Sequence, residues 1–454
     1  MSTETTKSGL MTSGGIYSAI IRFAVPLLLG SLFQQTYNTV DSIVVGNYVG
    51  HTALAAVGSA TPVINVIIMI FQGLAVGGGV VISQSFGARN IEKERKAVHT
   101  LTAVGLLAGL FLTVFGIFMS RRMLVWVHVP ADVMDQARTY LTIFFAGVIS
   151  LVMYNVGTGV LQATGDSRHP LYYLMITSVF NIVLDIILVR YMNLGVSGAA
   201  YATILSEFIS MCLVMREMMI TEREFRLNLR EVRIDLPVLK EVIRIGVPSA
   251  LQGFVVSISN LVVMGYINGF GSAAVAGYTA SGKVDAFLTM PIYNLGMTMA
   301  TFCGQNLGAG RIDRVKAGVR AGLVLSCSIV VAVGAFEYIN AGTLIGLFTD
   351  DAEVIRAGSI ILRIMAPFYI FLAVHHIYSG ALRASGRSFV QMISSIAGMV
   401  VMRQVYLAVA VRCSHDISII GWCFSLTWVL CFVITSGYYF LSGWLRQEEE
   451  KAAL

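Results

Sequence analysis

The sequence predicts an all-α membrane protein with twelve transmembrane helices in two six-helix lobes related by a parallel internal repeat. Three observations lead there. Of 454 residues, 56% are hydrophobic and only 12% charged, and the mean hydropathy is +0.77; a soluble chain of this length carries roughly twice that charged fraction. The apolar residues fall in blocks of about 20, enough to cross a hydrocarbon core roughly 30 Å thick. The chain also repeats itself. Gln84-Ser85-Phe86-Gly87-Ala88-Arg89 returns as Gln305-Asn306-Leu307-Gly308-Ala309-Gly310. Leu161-Gln162-Ala163-Thr164-Gly165-Asp166-Ser167 returns as Leu382-Arg383-Ala384-Ser385-Gly386-Arg387-Ser388. Both pairs are 221 residues apart, and Arg22 to Pro26 returns as Arg244 to Pro248 one residue further along. One spacing across separate motifs means a duplicated half, which in an apolar chain is the pattern of a two-lobed transporter.

The spans are expected near 19–45, 54–86, 97–119, 133–162, 169–191, 197–220, 241–268, 274–306, 316–338, 353–382, 389–411 and 417–442. Pro62 and Pro291, with Gly73, Gly77, Gly78 and Gly79, predict bends in spans two and eight. These spans divide the chain into an N-terminal cytoplasmic segment (1–15), an N-lobe (16–220), a cytoplasmic connector (221–240), a C-lobe (241–442) and a cytoplasmic tail (443–454). Six spans per half return the chain to its starting side, so both halves have the same orientation. The connector, rich in both charges, is expected to carry a short amphipathic helix along the membrane surface. The repeated glycine motifs end spans two, four, eight and ten, where glycine serves helix C-caps and tight turns.

Positive charge sets the orientation. With the N-terminus inside, the inner loops hold Arg89, Lys93, Arg95, Lys96, Arg168, Arg223, Arg226, Arg230, Arg233, Lys240, Arg311, Arg314, Lys316, Arg383 and Arg387. The outer loops hold little beyond Arg121, Arg122, Arg190 and Arg412. That asymmetry places both termini in the cytoplasm. The net charge of +6 is therefore a topology signal, and nothing suggests a nucleic-acid partner. Residues 1–15 are polar and lack a cleavable signal pattern. Cys212, Cys303, Cys327, Cys413, Cys423 and Cys431 have no CxxC spacing and read as small apolar packing residues.

Ionisable groups inside a bilayer are expensive and mark function by default. Tyr37 and Asp41 are four apart on span one, and Asn181 and Asp185 four apart on span five, so each pair shares a helix face. Thr203 lies one to two turns into span six. At 1.5 Å per residue, Asp41 lies roughly 7 Å, and Asp185 and Thr203 roughly 9 Å, below the outer ends of their spans. Three helices thus bring oxygens to one level. Such a group can hold a proton, since two buried carboxylates repel each other, or it can coordinate Na⁺. The duplication is a control. At an offset of 221, Asp41 maps to Val262, Asn181 to Met402, Asp185 to Tyr406 and Thr203 to Phe424, so the second copy folds without these groups. In the C-lobe, Lys283 and Asp285 sit two apart on different faces of span eight. Lys283 either lines the cleft between lobes or snorkels to the outer interface. Gln34, Arg363, His375 and Arg403 complete the candidates for the substrate cleft; His376 and Glu207 are weaker signals. Walker A, HExxH and Ser/His/Asp patterns are absent from the sequence, so no enzymatic activity and no resident cofactor are expected.

Val40-Asp41-Ser42-Ile43-Val44-Val45-Gly46 after Pro26, Gln84 to Ala88, Gln162-Ala163-Thr164-Gly165-Asp166, and Asn181 to Asp185 resemble the multidrug and toxic compound extrusion (MATE) transporters. These belong to the multidrug/oligosaccharidyl-lipid/polysaccharide flippase superfamily. The resemblance spans almost the whole chain. It implies a cation-coupled antiporter, driven by H⁺ in preference to Na⁺, that exports organic cations by alternating access. It assigns Tyr37, Asp41, Asn181, Asp185 and Thr203 to an N-lobe cation site. Branches resembling NorM place carboxylates on spans seven and ten, whereas this sequence has none in 242–268 or 366–382; the pattern is closer to the DinF/MepA-like branch. The resemblance also implies a multi-pass protein of a prokaryotic plasma membrane, monomeric, with membrane lipids and small organic cations as its partners. The alternative within the superfamily is a flippase for lipids or lipid-linked oligosaccharides, for which Lys283, Arg363 and Arg403 supply positive charge. A membrane receptor or scaffold would explain neither the duplication nor the buried carboxylates.

Overall fold

The computed structural model describes residues 11–49, 51–127, 129–221, 225–414 and 416–453, and all their regular secondary structure is helical. Arg223, one of the inner-loop charges, lies outside the described residues, as do residues 1–10 of the N-terminal segment. Twelve long helices follow the expected spans: α1 Ile16–Tyr48, α2 His51–Gly87, α3 Ile91–Trp126, α4 Met134–Ala163, α5 Arg168–Tyr191, α6 Gly195–Ile220, α7 Leu236–Asn268, α8 Ser272–Gly308, α9 Ile312–Gly346, α10 Ala352–Ala384, α11 Ser388–Cys413 and α12 Ser418–Leu441. Eleven include stretches long and apolar enough to cross a membrane. The remaining one, α8, has the length, at 37 residues, but not the apolarity. A hydrocarbon solvent leaves a lone chain few options, because every backbone N–H and C=O must be bonded internally.

The chain divides into two compact units. Of the described residues, the first contains 25–246 and the second 11–24 and 247–453. In the first, α4 is the hub, packed on α2, α3 and α6; in the second, α10 takes that place, packed on α8, α9 and α12. The first helix of each repeat is the least enclosed. Only 17% of the residues in the most apolar stretch of α1, and likewise of α7, are buried, against 50% in α4. Each of these two helices has a proline in its interior, Pro26 and Pro248, which removes one backbone hydrogen bond and favours a kink there.

The repeated loop motifs fold as repeated helix ends. Asp166 N–H bonds Leu161 O at 2.8 Å and Gly165 N–H bonds Gln162 O at 3.0 Å; in the second copy Arg387 N–H bonds Leu382 O at 2.9 Å and Gly386 N–H bonds Arg383 O at 2.9 Å. Gly165 and Gly386 take φ of 85° and 79°, the left-handed residue that closes such a cap. The other motif closes the same way, with Asn90 N–H on Ser85 O at 2.9 Å and Arg311 N–H on Asn306 O at 2.8 Å. There the left-handed residue is Arg89 (φ 53°) in one copy and Gly310 (φ 67°) in the other.

The expectation for the connector is corrected. Spans two and eight run as continuous α-helix; irregular turns fall in α5 (π-helical Ile186–Tyr191), α10 (3-10 Ala366–Phe368) and α11 (π-helical Ile396–Met402). The glycines of α2 serve close packing: a Cβ on Gly77 would lie 2.4 Å from Val242 O at the start of α7. The connector holds no surface helix among its described residues before α7, only the 3-10 turn Leu229–Glu231. Its Phe225 and Leu227 are buried in the first unit's core. Its backbone is tied to α3, with Asn228 N–H donating to His99 Nε2 and Asp235 N–H to Thr100 Oγ1. A further short helix, α13 (Trp444–Ala453), lies in the tail, with Trp444 buried and Arg387 paired to Glu448 at 2.7 Å.

Residues 11–24 join the second unit through Arg314. Its guanidinium donates to the carbonyls of Met11, Ser13 and Gly14, while Asn306 Nδ2 also donates to Met11 O. An arginine read as a loop charge is thus a backbone clamp. The six cysteines are free, and Cys303, Cys423 and Cys431 are buried.

Nothing lies within 4 Å of a Cβ built on Gly386, so Gly386→Ala isolates the backbone term. It should lower stability by about 1 kcal/mol, and Arg89→Gly should raise it by a few tenths. Thermal unfolding in detergent reads both, and equal midpoints for the three proteins would refute the cap assignment.

Candidate functional site

In the first unit, polar groups of α1, α5 and α6 meet at one place. On α1, Gln34, Tyr37 and Asp41 are spaced three and four apart, one helix face. On α5, Asn181 and Asp185 are both buried, and the π-helical turn begins at the residue after Asp185. A π turn re-aims the residues around it and recurs at functional positions. On α6, Thr203, Ser206 and Glu207 again follow a three-four spacing.

These residues converge. Gln34, Tyr37, Asn181, Thr203 and Glu207 line one recess, and Tyr37 lies within electrostatic reach of Glu207, Asp41, Tyr140 and Asp185. The carboxyls of Asp41 and Asp185 lie within electrostatic reach of each other. Thr203 donates its hydroxyl to Ala199 O at 3.0 Å, which leaves its lone pairs available, and Tyr140 reaches it from α4.

The site is short of partners. Both oxygens of Asp185, Oδ1 of Asp41, both side-chain polar atoms of Asn181 and Oε2 of Glu207 are buried and form no hydrogen bond with the described residues. Buried polar atoms are almost always satisfied, and each exception asks for an ion, a proton or a moving part. The donor set is all oxygen, with carboxylate, amide, hydroxyl and phenol, which suits a proton or a hard monovalent cation. All five sequence-predicted cation-site residues lie in this cluster. Sequence reasoning gave Glu207 little weight and missed Tyr140, Tyr154 and Ser206. Glu207 was legible from its i, i+4 spacing to Thr203. Tyr140 and Tyr154 are 14 apart, close to four helical turns, and so share a face of α4.

The other cleft candidates do not converge. Lys283 is exposed and its ammonium lies 5.6 Å from the Phe348 ring, just past the end of α9. Arg363 is exposed and donates from Nε to Tyr338 O. His375 is fully buried, its Nδ1 2.9 Å from Thr435 Oγ1. Arg403 is buried, donates to Asn260 Oδ1 at 2.6 Å and lies 4.6 Å from the Phe424 ring centre. Asp285 accepts from the Tyr369 hydroxyl at 2.7 Å. A larger recess lined by Val330, Gly334, Tyr338, Ala366, Pro367 and Ile370 is almost wholly apolar and offers nothing to hold a cation.

Comparison with known proteins agrees with the repeat. The MatE family model matches residues 26–187 and again 248–409. The chain is 29% identical to the probable multidrug resistance protein YoeA of Bacillus subtilis (strain 168), over 84% of this chain and 85% of the relative. It is 28% identical to YpnP of the same organism, another probable multidrug resistance protein, over 87% and 89%. In fold it is similar to a crystal structure of MATE in the bent conformation, with TM-score 0.92 and 23% identity over 99% of this chain and all of that one.

If these polar groups serve a ligand and not the fold, removing an unbonded one is harmless. Asn181→Leu, close in volume, should leave the thermal midpoint in detergent unchanged or raise it, within about 1 kcal/mol. A loss of the 2–5 kcal/mol typical of orphaning a buried partner would return the cluster to a structural role.

Proposed function

From the premise that the chain belongs to the MatE family of transporters, we propose that it exports organic, cationic, amphiphilic compounds in exchange for a cation, with H⁺ as the coupling ion. The observation that carries this reading is the unsatisfied carboxyl pair, Asp41 with Asp185, shared between a loosely packed helix and one broken by a π turn. The relatives' names as multidrug resistance proteins supply the substrate class. Both termini lie in the cytoplasm of a prokaryotic cell, following the arginine and lysine bias of the inner loops.

In the mechanism, Asp41 and Asp185 take up a proton from outside. With one proton the two carboxyls bond to each other, and the bond draws α1 toward α5. Tyr37 and Gln34, on the same face of α1, move with it, and Pro26 provides a point at which α1 can bend. The protonated form has the lower affinity for a cationic substrate, so the substrate leaves outside. Release of the proton inside restores the negative site. Exchange follows because proton and drug each favour the state the other disfavours. Glu207, one turn beyond Thr203, stands ready to pass or hold the proton within the same recess.

A flippase for anionic lipids is the second reading, and Arg403 favours it: a buried guanidinium with no ion-pair partner among the described residues.

Cells lacking their own pumps separate the two. Wild type should export a cationic dye, a proton uncoupler should stop it, and Asp41→Asn should lose at least tenfold in rate while reaching the membrane at normal levels. Full uncoupler-sensitive export by Asp41→Asn would sink the carboxyl assignment. Absence of dye export by folded wild type, with movement of labelled anionic lipid, would move the assignment to a flippase.

A further inference from the structure

We propose that the second unit has a proton-binding site of its own, formed by Asp285 on α8, Glu337 on α9 and Tyr369 on α10. It does not depend on the N-lobe reading above and shares no residue with it.

The Tyr369 hydroxyl lies 2.7 Å from Asp285 Oδ1 and 3.0 Å from Glu337 Oε1. A phenol has one proton and donates one hydrogen bond. It can therefore satisfy one carboxylate only. The second contact is a hydrogen bond if that carboxyl carries a proton and donates to the phenol oxygen, and otherwise an oxygen–oxygen repulsion. The arrangement closes with one bound proton shared over the three groups.

The surroundings offer no other way to balance the charge. Glu337 is 0% exposed and its Oε2 has no hydrogen-bond partner among the described residues. Tyr369 is likewise buried, with Trp428 of α12 against its ring at 5.4 Å. Among the described residues neither carboxyl forms an ion pair. The other titratable groups facing the site are Tyr278 and Tyr293 of α8. These two stand within electrostatic reach of Asp285 and also of Arg403 from α11, and Cys423 of α12 reaches Tyr278. Arg403 already bonds Asn260.

The fold does not need these groups. At the repeat spacing of 221 residues, Asp285, Glu337 and Tyr369 correspond to Ile64, Gly116 and Val148 in the first half. Val148, and Phe145 against which Gly116 packs, are part of the first unit's apolar core. The three corresponding positions there carry no polar side chain.

The site also sits at a joint. Tyr369 follows the 3-10 turn Ala366–Phe368, which contains Pro367 and interrupts α10. A Cβ on Gly334, one turn before Glu337, would lie 3.0 Å from Ala366 O, so α9 is in close contact with that joint. Binding or losing the proton therefore changes whether three helices are tied together where one of them is already broken.

The test is the infrared spectrum of the purified full-length protein in lipid at neutral pH, in the region of the protonated-carboxyl C=O stretch. Of Asp285→Asn and Glu337→Gln, one should lose a band equal to one carboxyl per protein and the other should displace it. Tyr369→Phe should shift the same band, and Asp41→Asn should leave it in place, which separates this site from the first unit's. Should one carboxyl variant fail to yield folded protein, the Tyr369→Phe shift decides alone. Spectra of Asp285→Asn, Glu337→Gln and Tyr369→Phe that all match wild type in this region would overturn the proposal.

Discussion

The constraint beneath this structure is the absence of water as a hydrogen-bond partner in hydrocarbon. It forces the backbone into helices, because each residue then satisfies its own N–H and C=O. It also makes every polar side chain inside a span accountable, since a buried group without a partner costs about 1–3 kcal/mol, and more when charged. The first unit breaks that rule at Asp41, Asn181, Asp185 and Glu207 together. One exception would be an accident of packing. Four at one place, on three helices, are the reason for proposing a cation site there.

The internal duplication turns this from suggestion into comparison. Each half is a solution to the same packing problem, with the fourth helix as hub and the first helix loosely held. Where one copy has Asp41, Asp185, Glu207, Asp285 or Glu337, the other has a valine, a tyrosine, a tryptophan, an isoleucine or a glycine. Polar groups needed for the helix junctions would appear in both copies. The helix caps do: Gly165 and Gly386 end the fourth helix of each repeat in the same left-handed conformation. The buried acids do not, in either direction, and this asymmetry separates function from architecture within a single chain.

Most of the fold was legible because the governing signals are local or periodic. Twenty apolar residues are a span whatever surrounds them, and the count of twelve included α8 although it is the least apolar of them. The N-lobe cluster was legible because its residues come in i, i+4 pairs, 37 with 41 and 181 with 185. Glu337 and Tyr369 gave no such signal: each is a single polar residue in an apolar run, and they meet Asp285 only through tertiary packing of α8, α9 and α10. The π turn after Asp185 has no sequence signature, since it depends on how α5 and α6 fit each other. The connector misled because its charges suggested a surface helix, whereas the buried Phe225 and Leu227 set its path.

The two acidic sites differ in how they are held, and the difference has mechanical meaning. In the first unit the carboxyls lack fixed donors, and one lies on α1, whose apolar face is mostly unburied. Little opposes a change in their spacing when a proton arrives, so protonation can be converted into movement of that helix. In the second unit a buried tyrosine bridges the acids, and all three groups belong to helices packed about the hub. The proton proposed there would add a tie to an already tight junction, beside the joint of α10 at Pro367. Two chemically similar groups placed in one duplicated fold thus become different devices, because one is mounted on a loosely packed element and the other inside a fixed one.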